Sequence, residues 1–150
     1  MQSADVQNAY LNADNKKKVW LRAGPEFGSI KGKCFIVKRA LYGLKLAGAS
    51  FRSFLSGKLD ELGFESCVAD PDVWRWHAGK FDNTEYHEYF LTYVDDLIVI
   101  SENAVKVLKT LSREVKVQND LIEAPSTYLG AKLSYPKKKL EDGLFQVLIL

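Results

Sequence analysis

The chain has 150 residues, the size of one domain, and its 47% hydrophobic content is enough for a real core. Lys and Arg number 21 against 19 Asp and Glu, so the formal charge of +2 points to no class of partner, and only local clusters are informative. Two cysteines, Cys34 and Cys67, exclude a four-thiolate metal site, and two histidines, His77 and His87, exclude a histidine-rich one; no apolar run is long enough for a transmembrane helix.

In chain order, Ala4-Asp5-Val6 reads as a strand end, followed by a turn toward Ala9-Tyr10-Leu11. Residues 12–18 are a polar connection, and residues 19–21 a short strand. Gly24, Pro25, Gly28 and Gly32 mark a loop over residues 23–32, with a second short strand at 34–37. Gly43 and Gly48 weaken helix formation over 39–48. From Ala49 the spacing of Phe51, Phe54, Leu55, Leu59 and Leu62 predicts a helix, with Gly63 as its C-terminal cap. The chain exits through 64–71 to a short segment at 73–77, and Gly79 and Asn83 mark a turn over 78–84.

Residues 90–101, FLTYVDDLIVIS, organise the rest. Two apolar arms, rich in β-branched and aromatic residues, flank the pair Asp95-Asp96 and read as a hairpin with an Asp-Asp connection at its tip. Acidic residues are common in solvated turns. Two adjacent carboxylates in an apolar hairpin also repel each other unless a cation or solvent screens them. A plain turn and a metal-holding pair are both open on pattern alone. Beyond it, Ser101 is a candidate helix cap, with Glu102 in the first turn and Ala104, Leu108, Leu111 and Val115 on one stripe. Residues 119–126 form a connection containing Pro125, and strands are predicted at 128–135 and 144–150 around a basic turn, 136–143. The whole pattern is α+β, with strands and two principal helices in opposing layers.

Several segments, in order, carry a specific resemblance: DVQNAYLN at 5–12, VKRALYGLKLA at 37–47, LGF at 62–64, DPDVW at 70–74, YVDDLIVIS at 93–101 and YLG at 128–130. Each is weak alone; the ordered series resembles the reverse transcriptase domain of Ty1/copia-type retrotransposon polyproteins and covers most of the chain. The resemblance implies an antiparallel-sheet polymerase palm packed against helices over 1–150, with partial fingers, an incomplete thumb, and the start of the thumb-proximal hairpin near 126–150.

It further implies an RNA-directed DNA polymerase that adds deoxynucleotides to a primer 3′ end by two-metal phosphoryl transfer. Asp5, Asp95 and Asp96 become the catalytic and metal-binding set: Asp5 and Asp95 as the main ligands of Mg²⁺, with Mn²⁺ as the alternative, and Asp96 as a neighbour that tunes the charge. Tyr10 becomes the ring beneath the incoming sugar, and Tyr93 the residue that meets the primer end. Gly43 and Lys45 lie in residues 41–47, which resemble a family segment near nucleotide and template, and Lys38 and Arg39 precede it as substrate-binding cations. Lys31, Lys33, Lys38, Arg39 and Lys45 run without an intervening acid and suit phosphate contacts. For each residue a structural role is the alternative: strand-end aspartate, core tyrosine, solvated basic surface, or simple glycine turn. Lys137–Lys139 is either a further backbone contact or a basic hairpin tip.

The implied partners are an RNA or DNA template with primer, deoxynucleoside triphosphates, and the missing fingers, thumb and RNase H regions of a Pol polyprotein. No membrane partner is implied, and the expected location is intracellular, in cytoplasmic particles or the nucleus. Three departures stand out: Leu46 where glutamine is usual, Phe51 for tryptophan, and Ala13 for glycine. Leu46 and the missing fingers keep a catalytically inactive nucleic-acid-binding remnant, or a non-functional fragment, as alternatives.

Overall fold

The computed structural model describes residues 1–79, 85–118 and 121–134, and the backbone of 148–149. Its centre is a five-stranded antiparallel sheet with strand order β1-β7-β6-β5-β4. The strands are β1 (Gln2–Asp5), β4 (Glu65–Ser66), β5 (Val73–Gly79), β6 (Glu85–Tyr93) and β7 (Asp96–Ile100). A two-stranded ribbon, β2 (Trp20–Arg22) with β3 (Cys34–Ile36), stands apart from it. A small sheet with order β10-β9-β8 joins β8 (Thr127–Tyr128), β9 (Ala131–Ser134) and β10 (Leu148–Ile149). The helices are α1 (Ala47–Glu61) and α2 (Ala104–Leu111), with 3₁₀ turns at Ala9–Asn12 and Pro25–Ile30.

Strand alternation divides the central sheet into two chemically different faces. Ala4 pairs with Leu97, and Val99 with Phe90, which pairs with Trp74. These side chains share one core with Phe51, Leu55 and Leu59 of α1 and Ala104, Leu108 and Leu111 of α2. Phe90 is fully buried and meets Phe64 edge-on, with ring centroids 5.7 Å apart; such a pair adds about 0.5–1.5 kcal/mol beyond its burial. The alternate residues, Asp5, Asp96 and Tyr93, therefore lie on the opposite face, away from the helices. Ile98, also on that face, is buried beside a cleft that it shares with Leu121, Thr127 and Tyr128. The outer edge of β1 is closed by bridges from Ser3 to Glu123 and from Val6 to Val117, which protects it from pairing with another chain.

The predicted α+β class and the helix-on-sheet layering match the observed architecture. Local details differ. Tyr93 pairs with Asp96, so the hairpin connection is Val94-Asp95, and Asp96 is already a strand residue. Helix α1 begins at Ala47, two residues before the expected start, and Gly63 sits one position beyond its C-cap, Leu62. There the Phe64 N–H donates to the Leu59 carbonyl and the Gly63 N–H to the Asp60 carbonyl, a Schellman closure made accessible by the Gly63 φ of +88°.

Ser101 does not cap α2. The helix starts after Asn103; the Ser101 hydroxyl instead accepts the Asn103 N–H at 2.9 Å, and the Glu102 N–H is held by buried Glu88 at 3.2 Å. The expected continuous strand at 128–135 is broken, because Leu129 (φ +50°) and Gly130 (φ +79°) form the two-residue turn between β8 and β9. The segment at 64–71 contains the short strand β4. Most of the expected turns at 78–84 and 136–143, including Lys137–Lys139, lie outside the described residues.

Candidate active site

Asp5 ends β1 and stands directly opposite Asp96, which begins β7; Asp96 stands opposite Tyr93, the end of β6. Directly paired residues of antiparallel strands are about 4.5–5.5 Å apart at Cα. Three adjacent strands thus present Asp5, Asp96 and Tyr93 as one row at one end of the open face. Asp95 is fixed beside this row from the turn, because its carbonyl accepts the Val6 N–H at 2.8 Å. The sequence brings two distant acidic segments together because both flank strands whose apolar faces share one core.

The carboxylates sense one another. Burial pushes the Asp5 carboxyl above its ordinary range, and the charges of Asp95 and Asp96 push it further. Asp96 is raised by burial and then by Asp95. Among the described residues, no group of three or more His, Cys, Asp or Glu side chains closes into an arrangement that could hold a metal ion.

An aromatic pair adjoins the carboxylates. The Tyr10 ring lies 4.3 Å from that of Tyr42 and 6.3 Å from buried Phe51. The Tyr42 phenol is raised by burial, then by Asp95, Tyr10 and Asp5, while a backbone hydrogen bond at Ala9 acts in the other direction. Tyr42 escaped the sequence reading, although it sits inside the LYGLK segment. Gly43, its neighbour, has a φ of +89°, and a Cβ there would meet open space, so backbone conformation is what calls for glycine.

On the other side, Tyr128 is raised by burial and then by Asp96, Asp70, Asp72 and Tyr93. The Asp72 carbonyl accepts both the N–H and the hydroxyl of Thr92, at 3.0 and 3.1 Å, and the Asp72 carboxylate is ion-paired with Arg52. The DPDVW segment thereby anchors β6 just before Tyr93.

The cations are spread along the chain. Lys31 and Lys33 precede β3, Lys38 and Arg39 follow it, and Lys45 precedes α1; all five are exposed. Arg39 is paired with Asp14 at 3.0 Å. Among the described residues, no hydrogen bond or ion pair joins these cations to Asp5, Asp95 or Asp96. Of the unusual positions, Phe51 keeps aromatic packing with Tyr10 and Phe54. Ala13 is buried with an extended φ of −99°, a conformation that does not need glycine. Leu46 is half-buried at the start of α1 and offers no side-chain cap.

Fold and site together define an α+β protein with an acidic row on the open face of a helix-backed antiparallel sheet. Residues 1–139 match the model of the family described as reverse transcriptase (RNA-dependent DNA polymerase). The chain belongs to that family, as a partial domain of the Ty1/copia retrotransposon type. It is 27% identical over 143 residues to the Transposon Ty1-NL2 Gag-Pol polyprotein of Saccharomyces cerevisiae (strain ATCC 204508 / S288c), covering 90% of this chain and 8% of that protein. It is 30% identical over 117 residues to the Ty1-DR4 Gag-Pol polyprotein of the same strain, covering 77% and 7%. The same identity and length hold for the TyH3 Gag-Pol polyprotein of Saccharomyces cerevisiae, covering 77% and 6%. The chain thus spans less than a tenth of these relatives. No solved structure matches it. Among the described residues, no helix is long and apolar enough to cross a membrane.

Proposed function

We propose that this chain is the palm of an RNA-directed DNA polymerase, with the β2–β3 ribbon as part of the fingers and the β8–β10 sheet as the start of the thumb-proximal hairpin. The observation that carries the proposal is the convergence of Asp5 and Asp96 across paired strands, with Asp95 stitched to the same strand end. Mg²⁺ is bound by one or two carboxylates together with substrate phosphates and water, not by an all-protein cage. Crowded carboxylates, with Asp5 and Asp96 raised by burial and then by neighbouring charge, are the hard, anionic donors such an ion requires, so these residues fit it without a preformed three-ligand group.

Asp5 and Asp95 would hold the ions, Mg²⁺ with Mn²⁺ as the alternative. Bound there, they supply Lewis acidity toward a primer 3′-hydroxyl and a transferring phosphoryl group. The chain's own residues do the rest. Asp96 adds charge next to Asp95. Tyr10, held between Tyr42 and Phe51, presents a rigid ring beneath the sugar and excludes a ribose 2′-hydroxyl. Tyr93, exposed beside Asp96, meets the primer end. Lys38, Arg39 and Lys45 contact phosphates, and Gly43 sets the backbone between them.

The substrates are deoxynucleoside triphosphates and a primed template. The remaining fingers, thumb and RNase H regions of a Pol polyprotein are the partners. A primer-extension assay with Mg²⁺ tests this: Asp95→Asn is expected to lower extension by at least about 10²-fold, the scale of losing a preorganised electrostatic contact. Equal extension by both proteins rejects the assignment.

A catalytically inactive nucleic-acid-binding remnant is the second possibility, favoured by Leu46, an apolar side chain where an amide is usual. In that case the chain binds primer–template without extending it, and Leu46→Gln restores extension.

A further inference from the structure

At the end of the central sheet remote from the carboxylates, β5 and β6 enclose with α2 a cavity of about 480 Å³, within the range of about 300–1,000 Å³ typical of ligand pockets. Trp74 and Phe90 pair in the core; two residues further on Trp76 pairs with Glu88, and then Ala78 with Tyr86. Strand alternation therefore puts Trp76, Glu88 and Tyr86 on the helix side of the sheet. Val107 and Thr110 of α2 close one wall, and the Phe64 ring, 5.9 Å from that of Trp76, closes another. Glu88 stands five residues before Tyr93, about 17 Å along β6 at about 3.4 Å per residue.

Glu88 is the odd member of this face. It is 5% exposed, the only buried charged residue among the described residues. A carboxylate taken out of water is costly unless a cation or a full set of hydrogen bonds compensates it. Its Oε1 accepts the Glu102 N–H at 3.2 Å and the Tyr86 hydroxyl at 3.5 Å. Among the described residues no hydrogen bond goes to Oε2 and no cation pairs with the carboxylate, not even Lys106 on the cavity rim. One anionic oxygen is thus left for whatever enters the cavity.

The lining selects the ligand's chemistry. Trp76 is 43% exposed, so its ring is available beside the carboxylate. A planar guanidinium or amidinium stacks on such a ring while its edge donates to a carboxylate. An ammonium is more strongly hydrated and loses more on entering a site walled by aromatic rings. Lys106 at the rim repels a second positive charge, which favours a monocation.

We propose that the cavity between β5, β6 and α2 binds a planar organic monocation, a guanidinium or amidinium on an apolar body, with Glu88 Oε2 accepting its N–H groups and Trp76 stacked on its plane. The site lies on the opposite face of the sheet from Asp5 and Asp96. It requires none of the residues of the acidic row and does not depend on the polymerase assignment.

The test is calorimetric titration of the full chain with benzamidine and with benzamide, its neutral isostere. Benzamidine is expected to bind saturably and at least about tenfold more tightly, the scale of one charge-assisted hydrogen bond. Glu88→Gln keeps an acceptor for the Glu102 N–H but removes the charge; it is expected to weaken benzamidine about tenfold and leave benzamide unchanged. Trp76→Leu is expected to weaken benzamidine about threefold, and Lys106→Gln to tighten it about twofold. Equal affinity for benzamidine and benzamide in wild type overturns the proposal and needs no variant to fold. Loss of benzamidine binding in Asp95→Asn also overturns it, by placing the cation on the acidic row, as does benzoate binding that depends on Lys106. N-acetylarginine methylamide separates the sources: binding with the same Glu88 dependence extends the ligand to an arginine of a partner protein, and its exclusion while benzamidine binds confines the site to free small cations.

Discussion

Val94 shows how much conformational cost one residue near the carboxylates bears. It is β-branched, 42% exposed and has a φ of +54°. A left-handed conformation costs an ordinary residue about 1–2 kcal/mol. In a two-residue connection with positive φ at its first central position, glycine is the residue expected on local grounds. The strain persists because Tyr93 is paired with Asp96 on one side and Asp95 is bonded to Val6 on the other. Backbone strain of this kind concentrates where geometry serves function. Val94→Gly is expected to leave the urea midpoint unchanged or slightly raised, since relieved strain offsets glycine's added unfolded-state entropy of about 0.5–1 kcal/mol. It is expected to slow primer extension by loosening Asp95. A clearly lower midpoint would show that the valine side chain contributes more packing than its backbone costs.

Among elements, α1 separates what sequence pattern reveals from what it hides. Its apolar stripe was legible, because Phe51, Leu55 and Leu59 recur at helical spacing and all reach the core. Its stop was legible too, because a glycine before Phe64 can adopt the positive φ that closes the helix. The strand runs around Asp95 were legible from their β-branched residues, but the hairpin register was off by one, since Val94 breaks the local turn rule. The sheet order was not legible: placing β1 beside β7 requires pairing across ninety residues of chain, and nothing local specifies it. Tyr42 and Tyr128 were missed as neighbours of the carboxylates for the same reason. Two glycines, Gly57 within α1 and Gly63 just past its C-cap, give a matched test. A Cβ at Gly63 or at Gly57 would meet nothing within 4 Å, but only Gly63 has a positive φ, +88°. Gly63→Ala is expected to destabilise by about 1–2 kcal/mol, and Gly57→Ala to stabilise by about 0.4–1 kcal/mol, both read from urea unfolding. Equal effects at the two sites would show that backbone conformation does not close this helix.

For the whole molecule, the acidic row couples folding to protons and to cations. Asp5 and Asp96 have folded-state pKa values raised above 3.8. The native state therefore binds protons more readily than the unfolded chain, and stability from these groups falls as pH rises from below 3.8 through their raised values. Above that window the cost of burying the charges and their mutual repulsion both remain, the repulsion on the order of 0.2–1 kcal/mol for partly exposed charges. Relieving it by substitution, as in Asp96→Asn, is expected to raise the urea midpoint at neutral pH and leave it nearly unchanged below the carboxylate range. A cation that binds the folded row opposes the same repulsion, stabilising by RT ln(1 + [L]/Kd), about 1.4 kcal/mol at ten times its Kd. Mg²⁺ is accordingly expected to raise the wild-type midpoint at neutral pH, to lose that effect as Asp5 and Asp96 protonate, and to do little for Asp95→Asn. An equal Mg²⁺ response in wild type and Asp95→Asn would place the ion elsewhere. A gap between Asp96→Asn and wild type that narrows with rising pH would show that the carboxylates do not repel, and with that the electrostatic reason for a cation at this end of the sheet would disappear.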